Sequence, residues 1–273
     1  MIVDDEDGFK ALTRRVSRDA GLALDAYKDK CLRRRLLVRM RACSAHTYAE
    51  YMAVLDRRPE EWDKLKDALT INVTRFYRNP GTWDRLRQDL LPELLLARHG
   101  RLNAWSAGCA SGEEPYTLAM LCAEVAGAVG HPAWAERVRI EATDIDRESL
   151  ERSTNARYPQ AAFLEAPPWM TARYCEPVAD GWQVRDAIRR TVSVRRLDLA
   201  RETPPAATYD LILCRNVVIY FDRPTQERLF AQFAEALLPG GVLVLGKVET
   251  LLGPARDRLT LVDARERIFR RPA

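Results

Sequence analysis

The run Trp105–Tyr116, with the sequence WSAGCASGEEPY, decides how this chain folds. It follows a short apolar stretch that predicts a strand, and it opens a stretch that predicts a helix. Gly108 and Gly112 let the backbone turn sharply and approach a ligand closely, and Pro115 suits the first turn of a helix, where its missing N–H is not needed. A strand, a glycine loop and a helix in this order predict a ligand site at the edge of a parallel sheet.

Two carboxylates, Glu113 and Glu114, stand at the start of that predicted helix. They would compete with a phosphate for the positive end of the helix dipole, and they would attract a cation instead. The loop therefore favours a ligand that carries a positively charged amino group.

Strand-like and helix-like stretches alternate around this loop. The predicted strands are Leu102–Ser106, Val138–Thr143, Thr191–Leu197, Tyr209–Cys214 and Val242–Gly246. The helices predicted between them are Glu114–Ala126, Arg147–Ala156 and Thr225–Leu238, and a closing hairpin is predicted from Leu259–Val262 and Arg267–Phe269. Pro239–Gly241 is interpreted as a tight turn that ends the last helix. The alternation predicts an α/β fold with a Rossmann-like, doubly wound parallel sheet.

The chain has 273 residues, which suits one large domain or two small ones. Apolar residues recur at three- or four-residue spacing along its beginning, so residues 1–85 are interpreted as a small all-helical domain. Residues 86–273 would form the sheet domain. The alternation lapses in residues 157–190, where several prolines stand, and this part is interpreted as an insertion with a small antiparallel β element.

Polar side chains also follow the later strands, at the edge where the glycine loop lies. Asp144 ends the second strand, where a carboxylate can accept hydrogen bonds from both hydroxyls of a ribose. Asp146 is interpreted as the N-cap of the next helix. Asp198 ends the third strand and suits an adenine amine, although Asp is also common at the start of loops. Arg215 and Asn216 follow the fourth strand, where they face a ligand or form a buried polar pair.

Composition narrows the function classes further. A net charge of +4 and 47% hydrophobic residues exclude a disordered or fibrous chain and a protein that coats nucleic acid. No stretch approaches the roughly 18 apolar residues that span a membrane, and the acidic N-terminus resembles no leader, so we expect a cytoplasmic protein without membrane insertion. Six cysteines without a C-x-x-C pair and three histidines indicate neither a disulfide framework nor a metal site.

Four runs, taken together, resemble the chemotaxis receptor methyltransferases, the CheR family. The runs are Thr70–Arg78, Trp105–Tyr116, Ala142–Asp146 and Cys214–Asp222, in the order in which the family has them. The resemblance implies a class I S-adenosylmethionine-dependent methyltransferase fold. It also implies the reaction: a methyl group passes from S-adenosylmethionine to the γ-carboxylate of a receptor glutamate, giving a methyl ester and S-adenosylhomocysteine.

The resemblance implies roles for individual residues. Glu113 would face the methionine amino group, and Asp144 would hold the ribose. The other implied cofactor contacts are Asn72, Thr74, Arg78, Ala107, Gly108, Asp198, Leu199, Asn216 and Val217, with Asp198 standing where the family has Asn. Arg78 and Tyr220 are the expected catalytic residues, which would grip and position the acceptor carboxylate. A glutamate is already ionised at neutral pH, so the reaction needs no general base.

A basic run, Lys28–Arg41, offers a surface for the acidic, glutamate-bearing helices of a receptor. On a helix, one stripe would hold Lys28, Arg35 and Arg39, and a second would hold Lys30, Arg34 and Arg41. A merely solvated face is the alternative. The alternatives for the whole protein are a regulator that binds S-adenosylmethionine without turnover and a methyltransferase of another protein or of nucleic acid. We expect no nucleic-acid partner, because aromatic residues do not interleave with the basic run, and we expect a monomer.

Overall fold

The computed structural model describes residues 4–70 and 74–273. The chain divides into two compact units, one of Met1–Asn72 with Tyr220–Thr225 and one of Val73–Ile219 with Gln226–Ala273. The sequence pattern places this division after residue 85, but the structure places it after residue 72. The physical reason is that Trp83 and neighbouring side chains are buried in the apolar core of the second unit.

The first unit is helical where the structure describes it. Its helices are α1 (Glu6–Ala20), α2 (Asp29–Ala42), α3 (Tyr48–Arg57) and α4 (Pro59–Leu69). Side chains of Asp5 and Thr47 cap α1 and α3 by accepting from backbone N–H groups, as such residues commonly do. Tyr27 and Phe221 form an isolated antiparallel bridge, and their rings lie 5.0 Å apart, so Tyr220–Thr225 belongs to this unit.

The second unit contains two sheets. Its strands are β1 (Leu102–Ala107), β2 (Val138–Asp144), β3 (Arg157–Tyr158), β4 (Cys175–Val178), β5 (Gly181–Val184), β6 (Val192–Arg196), β7 (Tyr209–Cys214), β8 (Leu237–Leu245), β9 (Thr260–Asp263) and β10 (Ile268–Arg270). Further α-helices of the described residues are α5 (Pro80–Arg85), α6 (Leu91–Ala97), α7 (Glu113–Ala128), α8 (Arg147–Asn155), α9 (Pro168–Tyr174), α10 (Asp186–Arg189), α11 (Arg223–Ala236) and α12 (Ala255–Arg258).

The larger sheet has the strand order β6-β2-β1-β7-β8-β10-β9. The first five strands are parallel, and β10 and β9 close the sheet in antiparallel orientation. The order reverses between β1 and β7, and ligands of such sheets bind where the strands end at this reversal. Every residue of β7 is buried, as expected of a central strand covered on both faces.

The expected fold class is confirmed: a doubly wound sheet, a helical first part and a small antiparallel insertion. The insertion is the three-stranded sheet β3-β5-β4. No helix within the described ranges 4–70 and 74–273 is long and apolar enough to cross a membrane.

The prediction of a tight turn at Pro239–Gly241 is wrong, because these residues lie inside β8. The pairing with β7 shifts there, from Tyr209 opposite Leu237 to Leu211 opposite Val242. Gly240 has a φ of +78°, and its N–H donates to the carbonyl oxygen of Arg271 at 3.0 Å. The glycine therefore forms a bulge within a continuous strand.

Candidate functional site

The glycine loop lies between the end of β1 and the start of α7. Gly108 and Gly112 have φ values of +81° and +97°, which favour glycine. A Cβ on Gly108 would lie 2.4 Å from a Val217 methyl carbon, so the loop also needs a residue without a side chain. The N–H groups of Gly108 and Cys109 donate to the Thr143 carbonyl oxygen at 2.8 and 2.9 Å, which fixes the loop to the end of β2.

Glu113, the first residue of α7, is buried beside the glycine loop. Its carboxylate accepts from the Ser111 hydroxyl at 2.8 and 3.1 Å and also from the Thr74 hydroxyl. Burial raises the pKa of Glu113, because desolvation disfavours the charged form. The structure thus brings Thr74 and Glu113 together, and a cation placed here would favour the ionised carboxylate.

Asp144 ends β2 and contacts the same loop. Its two carboxylate oxygens accept from the N–H of Ala110 at 2.9 Å and from the N–H of Asp146 at 3.0 Å. Burial raises the pKa of this carboxyl as well. Asp146 accepts from the Ser149 N–H at 3.2 Å and caps α8, so the capping prediction is confirmed.

Asp198 and Leu199 follow β6 and are both buried. One Asp198 oxygen accepts from the Ala200 N–H at 2.9 Å and shapes the local turn. The other oxygen, Oδ2, is buried and has no hydrogen-bond partner within the described residues, although Arg201 Nε lies 3.7 Å from it as an ion-pair partner. Such an orphaned acceptor suits a donor from a ligand, such as an amine.

Asn216 and Val217 follow β7 at the order reversal. Asn216 has a φ of +62°, and its side-chain oxygen Oδ1 is buried with no hydrogen-bond partner in the described part of the chain. Its backbone N–H and that of Val217 donate to Glu249 at 3.0 and 2.9 Å. Sequence reasoning missed Glu249; the one available signal was a carboxylate three residues beyond Gly246, the residue that follows β8.

Arg215 is not directed to a ligand, and the alternative of a buried polar group holds for it. Its guanidinium donates to Glu114 at 3.2 Å, to the Arg78 carbonyl oxygen at 2.7 Å and to Asn79 Oδ1 at 3.1 Å. Glu114 also accepts from Ser106 at 2.8 Å. This buried ion pair ties the start of α7 to the segment Tyr77–Asn79.

The segment Tyr77–Asn79 carries the predicted catalytic residue Arg78, which is partly exposed. Tyr77 and Asn79 have φ values of +59° and +63°, which are unusual for residues with side chains. The Tyr77 hydroxyl donates to Asp84 at 2.6 Å, and the Asn79 N–H donates to Glu165 at 3.1 Å. These bonds, together with Arg215, hold the backbone on both sides of Arg78. The predicted contact Asn72 lies outside the described residues.

Tyr220, the other predicted catalytic residue, belongs to the first unit. The guanidinium of Arg35 lies 4.4 Å from the centre of the Tyr220 ring, and the Lys28 N–H donates to the Tyr220 carbonyl oxygen at 3.0 Å. A cation over an aromatic face is attractive, so Arg35 restrains this ring.

The first predicted basic stripe on α2 is therefore wrong. Arg35 is buried, and it donates to the Leu69 carbonyl oxygen. Arg39 binds Glu61 with two hydrogen bonds of 2.9 and 2.7 Å. The reason is that the buried side of α2 extends past Leu32 and Leu36 to include Arg35. Lys30, Arg34 and Arg41 of the second stripe are exposed.

The described residues fit S-adenosylmethionine. Glu113 suits its ammonium group and Asp144 its ribose, while the buried acceptors Asp198 Oδ2 and Asn216 Oδ1 have no hydrogen-bond donor among the described residues, and a ligand could supply one. Within residues 4–70 and 74–273, no group of three or more His, Cys, Asp or Glu side chains is arranged to hold a metal ion.

Comparison with known proteins places the two units in one family. Residues 7–70 match the family domain described as "CheR methyltransferase, all-alpha domain", and residues 72–268 match "CheR methyltransferase, SAM binding domain". The boundary between these matches agrees with the division of the structure after residue 72. The resemblance inferred from the four sequence runs is therefore confirmed.

Individual relatives agree with this match. A "Chemotaxis protein methyltransferase" of Listeria monocytogenes is 35% identical, over 93% of this chain and 94% of its own length. One from Klebsiella aerogenes is 32% identical, over 91% of this chain and 85% of its own. "Chemotaxis protein methyltransferase 2" of Pseudomonas aeruginosa is 33% identical, over 90% and 87%.

Proposed function

Since the chain belongs to the CheR methyltransferase family and is an S-adenosylmethionine-dependent methyltransferase of chemotaxis, we propose that it esterifies glutamate γ-carboxylates of chemoreceptors. The comparisons do not favour a regulator without turnover or a methyltransferase with another kind of acceptor. The choice of a carboxylate acceptor is our own inference from the residues that follow.

The position of the histidines supports a carboxylate acceptor. The chain has three, and His99 and His131 precede β1 and β2, at the opposite edge of the sheet from the glycine loop. His46 lies in the first unit, between α2 and α3. An amine or hydroxyl acceptor must lose a proton, for which a base such as histidine is usual, whereas a glutamate is already ionised at neutral pH. An acceptor that needs no base fits this arrangement.

Arg78 carries the proposal, because its backbone is held on both sides while its side chain is partly exposed. A guanidinium can bind a carboxylate with two hydrogen bonds and leave an oxygen lone pair directed at the methyl group. Tyr220, restrained by Arg35, is the proposed second positioning group. Alignment and exclusion of water can supply much of the rate enhancement of such a transfer.

On the cofactor side, the bound S-adenosylmethionine supplies an electrophilic methyl group on its sulfonium. Glu113 and Thr74 would hold its amino group, Asp144 its ribose and Asp198 its adenine. Asn216, Val217, Leu199, Ala107 and Gly108 would line the remaining surface. Asn216 Oδ1 and Asp198 Oδ2 support this assignment, because they are buried acceptors without a hydrogen-bond donor among the described residues and such atoms are costly.

For the receptor, we propose the exposed stripe of Lys30, Arg34 and Arg41 on α2 as the surface that meets acidic helices. Arg35 and Arg39 are excluded from it by their partners in the first unit. We propose that the receptor segments that carry the methylated glutamates lie in the cytoplasm. The enzyme would then act there.

Transfer of labelled methyl from S-adenosylmethionine to chemoreceptor cytoplasmic fragments tests the proposal. Mild alkali should then release the label as volatile methanol, because methyl esters hydrolyse under conditions in which N-methyl groups are stable. Label that survives alkali would indicate a nitrogen or carbon acceptor and would contradict the proposal. Cofactor binding without transfer to any fragment would contradict it as well.

A further inference from the structure

Glu249 is a buried carboxylate whose partners in the structure are backbone N–H groups. The chain turns after β8, with the Glu249 N–H donating to the Gly246 carbonyl oxygen at 2.9 Å, and the side chain enters the space behind Asn216–Ile219. It accepts from the N–H groups of Gly246, Asn216, Val217 and Ile219 at 2.5, 3.0, 2.9 and 3.3 Å. Successive N–H groups that converge on one anion form a recognised binding arrangement for negative charge.

This contact holds a backbone that would otherwise be strained. Asn216 is in the left-handed region, and such a residue persists only where its surroundings stabilise it. Oε1 accepts from Val217 and Ile219, and Oε2 accepts from Asn216 and Gly246, so both oxygens contribute. The side chain of Glu249, about thirty residues further along the chain, therefore binds three N–H groups of the segment 216–219, and Gln226 adds a bond to the Val218 carbonyl oxygen at 2.9 Å.

Gly246 is shaped to allow this contact. A Cβ at this position would lie 2.7 Å from the Asn216 backbone nitrogen, 3.0 Å from Asn216 Nδ2 and 2.8 Å from Glu249 Oε2. Backbone atoms cannot move aside cheaply, so a side chain there would displace the segment. Gly246 and Glu249 thus form a single support for Asn216.

The supported segment carries two residues of the proposed cofactor site. Val217 lies against Gly108, and the Asn216 Oδ1 atom is buried without a partner among the described residues. We propose that Glu249 is a positioning residue for the cofactor: its carboxylate sets the Asn216–Val217 backbone so that both side chains meet S-adenosylmethionine. This inference rests on the cofactor role proposed above for Asn216 and Val217.

The substitution Glu249→Gln in the full chain tests the inference. The amide keeps the size of the side chain, but its NH₂ group would face N–H groups that need an acceptor. We expect the dissociation constant of S-adenosylmethionine, measured by isothermal titration, to rise about 10- to 100-fold. Turnover at saturating cofactor should change less than about threefold. Glu249→Asp keeps the charge but is one methylene shorter, so its dissociation constant should lie between those of wild type and Glu249→Gln. It replaces Glu249→Gln in the test if the amide variant folds poorly.

Two further measurements separate positioning from general stability. In the protein without cofactor, the amide protons of Asn216 and Val217 should resonate downfield in proton–nitrogen spectra and move upfield in Glu249→Gln. Glu266→Gln is the matched control, because Glu266 is also buried in the second unit but accepts from Thr82 and Lys247 side chains. The control should alter thermal stability without weakening cofactor binding.

Unchanged cofactor affinity in Glu249→Gln, or an equal loss in Glu266→Gln, would overturn the inference and leave the proposed function intact. If the wild type binds the cofactor and Glu249→Gln binds it weakly, but no receptor is methylated, the proposed function fails and the positioning role stands. A loss of turnover at saturating cofactor in Glu249→Gln, without a change in cofactor affinity, would also overturn the positioning inference.

Discussion

Two segments of the second unit hold an asparagine in the left-handed backbone region, and opposite charges support them. In the 77–79 segment, the guanidinium of Arg215 binds the Arg78 carbonyl oxygen and the Asn79 side chain. In the 216–219 segment, the carboxylate of Glu249 accepts from backbone N–H groups. A cation that binds oxygens and an anion that binds N–H groups thus solve the same problem, the stabilisation of a strained backbone beside a proposed ligand.

The difference lies in what the loss of each support leaves behind. Arg215 is paired with Glu114, whose side chain is 13% exposed, so removal of the cation leaves a largely buried anion without its ion-pair partner. The partners that the structure shows for Glu249 are neutral dipoles, so neutralising it leaves no unpaired charge. We therefore expect the 77–79 segment to control turnover at a high cost in stability, and the 216–219 segment to control cofactor affinity.

Removal of the Arg78 side chain should give the largest effect. Arg78→Ala should lower turnover at saturating cofactor about 10³-fold, because the acceptor carboxylate loses its alignment. The dissociation constant of S-adenosylmethionine should change less than about threefold. Single-turnover methylation of a receptor fragment, combined with cofactor titration, measures both quantities.

Arg75→Ala is the matched control for Arg78→Ala. Arg75 is exposed and pairs with Glu165 at 3.4 Å, and exposed ion pairs contribute little. Its turnover should remain close to wild type. Wild-type turnover in Arg78→Ala with saturating cofactor would contradict the assigned role and remove the basis for separating the two segments.

Loss of the Arg215 side chain should come next. Arg215→Met leaves Glu114 largely buried and without its cation, which should lower the free energy of unfolding by about 3–5 kcal/mol. The unsupported 77–79 segment should also lower turnover. Chemical denaturation and single-turnover kinetics measure the two effects.

The double variant Arg215→Met with Glu114→Gln sharpens this test. Removing the orphaned charge should restore much of the stability, whereas turnover should stay low because the Arg78 carbonyl still lacks its donor. Recovery of turnover together with stability would mean that Arg215 acts through the fold alone.

The pH dependence of cofactor binding should be a smaller effect than the loss of Arg215. We expect it to come from Glu113, beside the glycine loop. Burial raises the pKa of Glu113 above its usual 4.5, so the free protein keeps this proton at a pH where an exposed glutamate has lost it. An ammonium group favours the ionised form, so binding releases the proton. Affinity should therefore rise as the pH increases towards the raised pKa of Glu113, by up to about tenfold per unit, and level off beyond that pKa.

Glu113→Gln should flatten this curve, while Glu93→Gln should not. Glu93 is an exposed carboxylate that pairs with Arg270, and neither residue belongs to the glycine loop. Isothermal titrations at several pH values provide the measurement. Parallel curves for wild type and Glu113→Gln would show that another group takes up the proton.

The sequence predicted those parts of the fold that depend on local pattern. The bounds of Tyr209–Cys214 agree with β7, because the apolar run Leu211–Cys214 predicts a buried strand. The Asp146 cap was predicted from its neighbours alone. By contrast, the predicted turn at Pro239–Gly241 was wrong, because Gly240 and Gly241 exchange backbone hydrogen bonds with Arg271, the residue after β10, and stay in the strand as a bulge.

The supports of the two segments could not be predicted in this way. Arg215 and Glu114 are 101 positions apart, and Asn216 and Glu249 are 33 apart, so no local spacing relates them. The prediction for Arg35 was wrong for a related reason. Helical periodicity alone places Arg35 on the basic surface of α2, but its guanidinium binds the carbonyl oxygen of Leu69, which belongs to α4. Strained residues that need distant partners are where a sequence carries the least local information.

The smallest expected effect comes from the surface of α2, and it should leave both segments unchanged. Charge reversal at the exposed Lys30 and Arg34 should raise the KM for a receptor fragment about three- to tenfold at low salt, since exposed charges mainly steer association. The difference should diminish near 0.5 M salt, where screening shortens the range of the attraction. Cofactor affinity and single-turnover rate at saturating receptor should match wild type. Arg14→Glu, at an exposed arginine of α1, is the control, and an equal rise in KM there would mean that net charge rather than this stripe attracts the receptor.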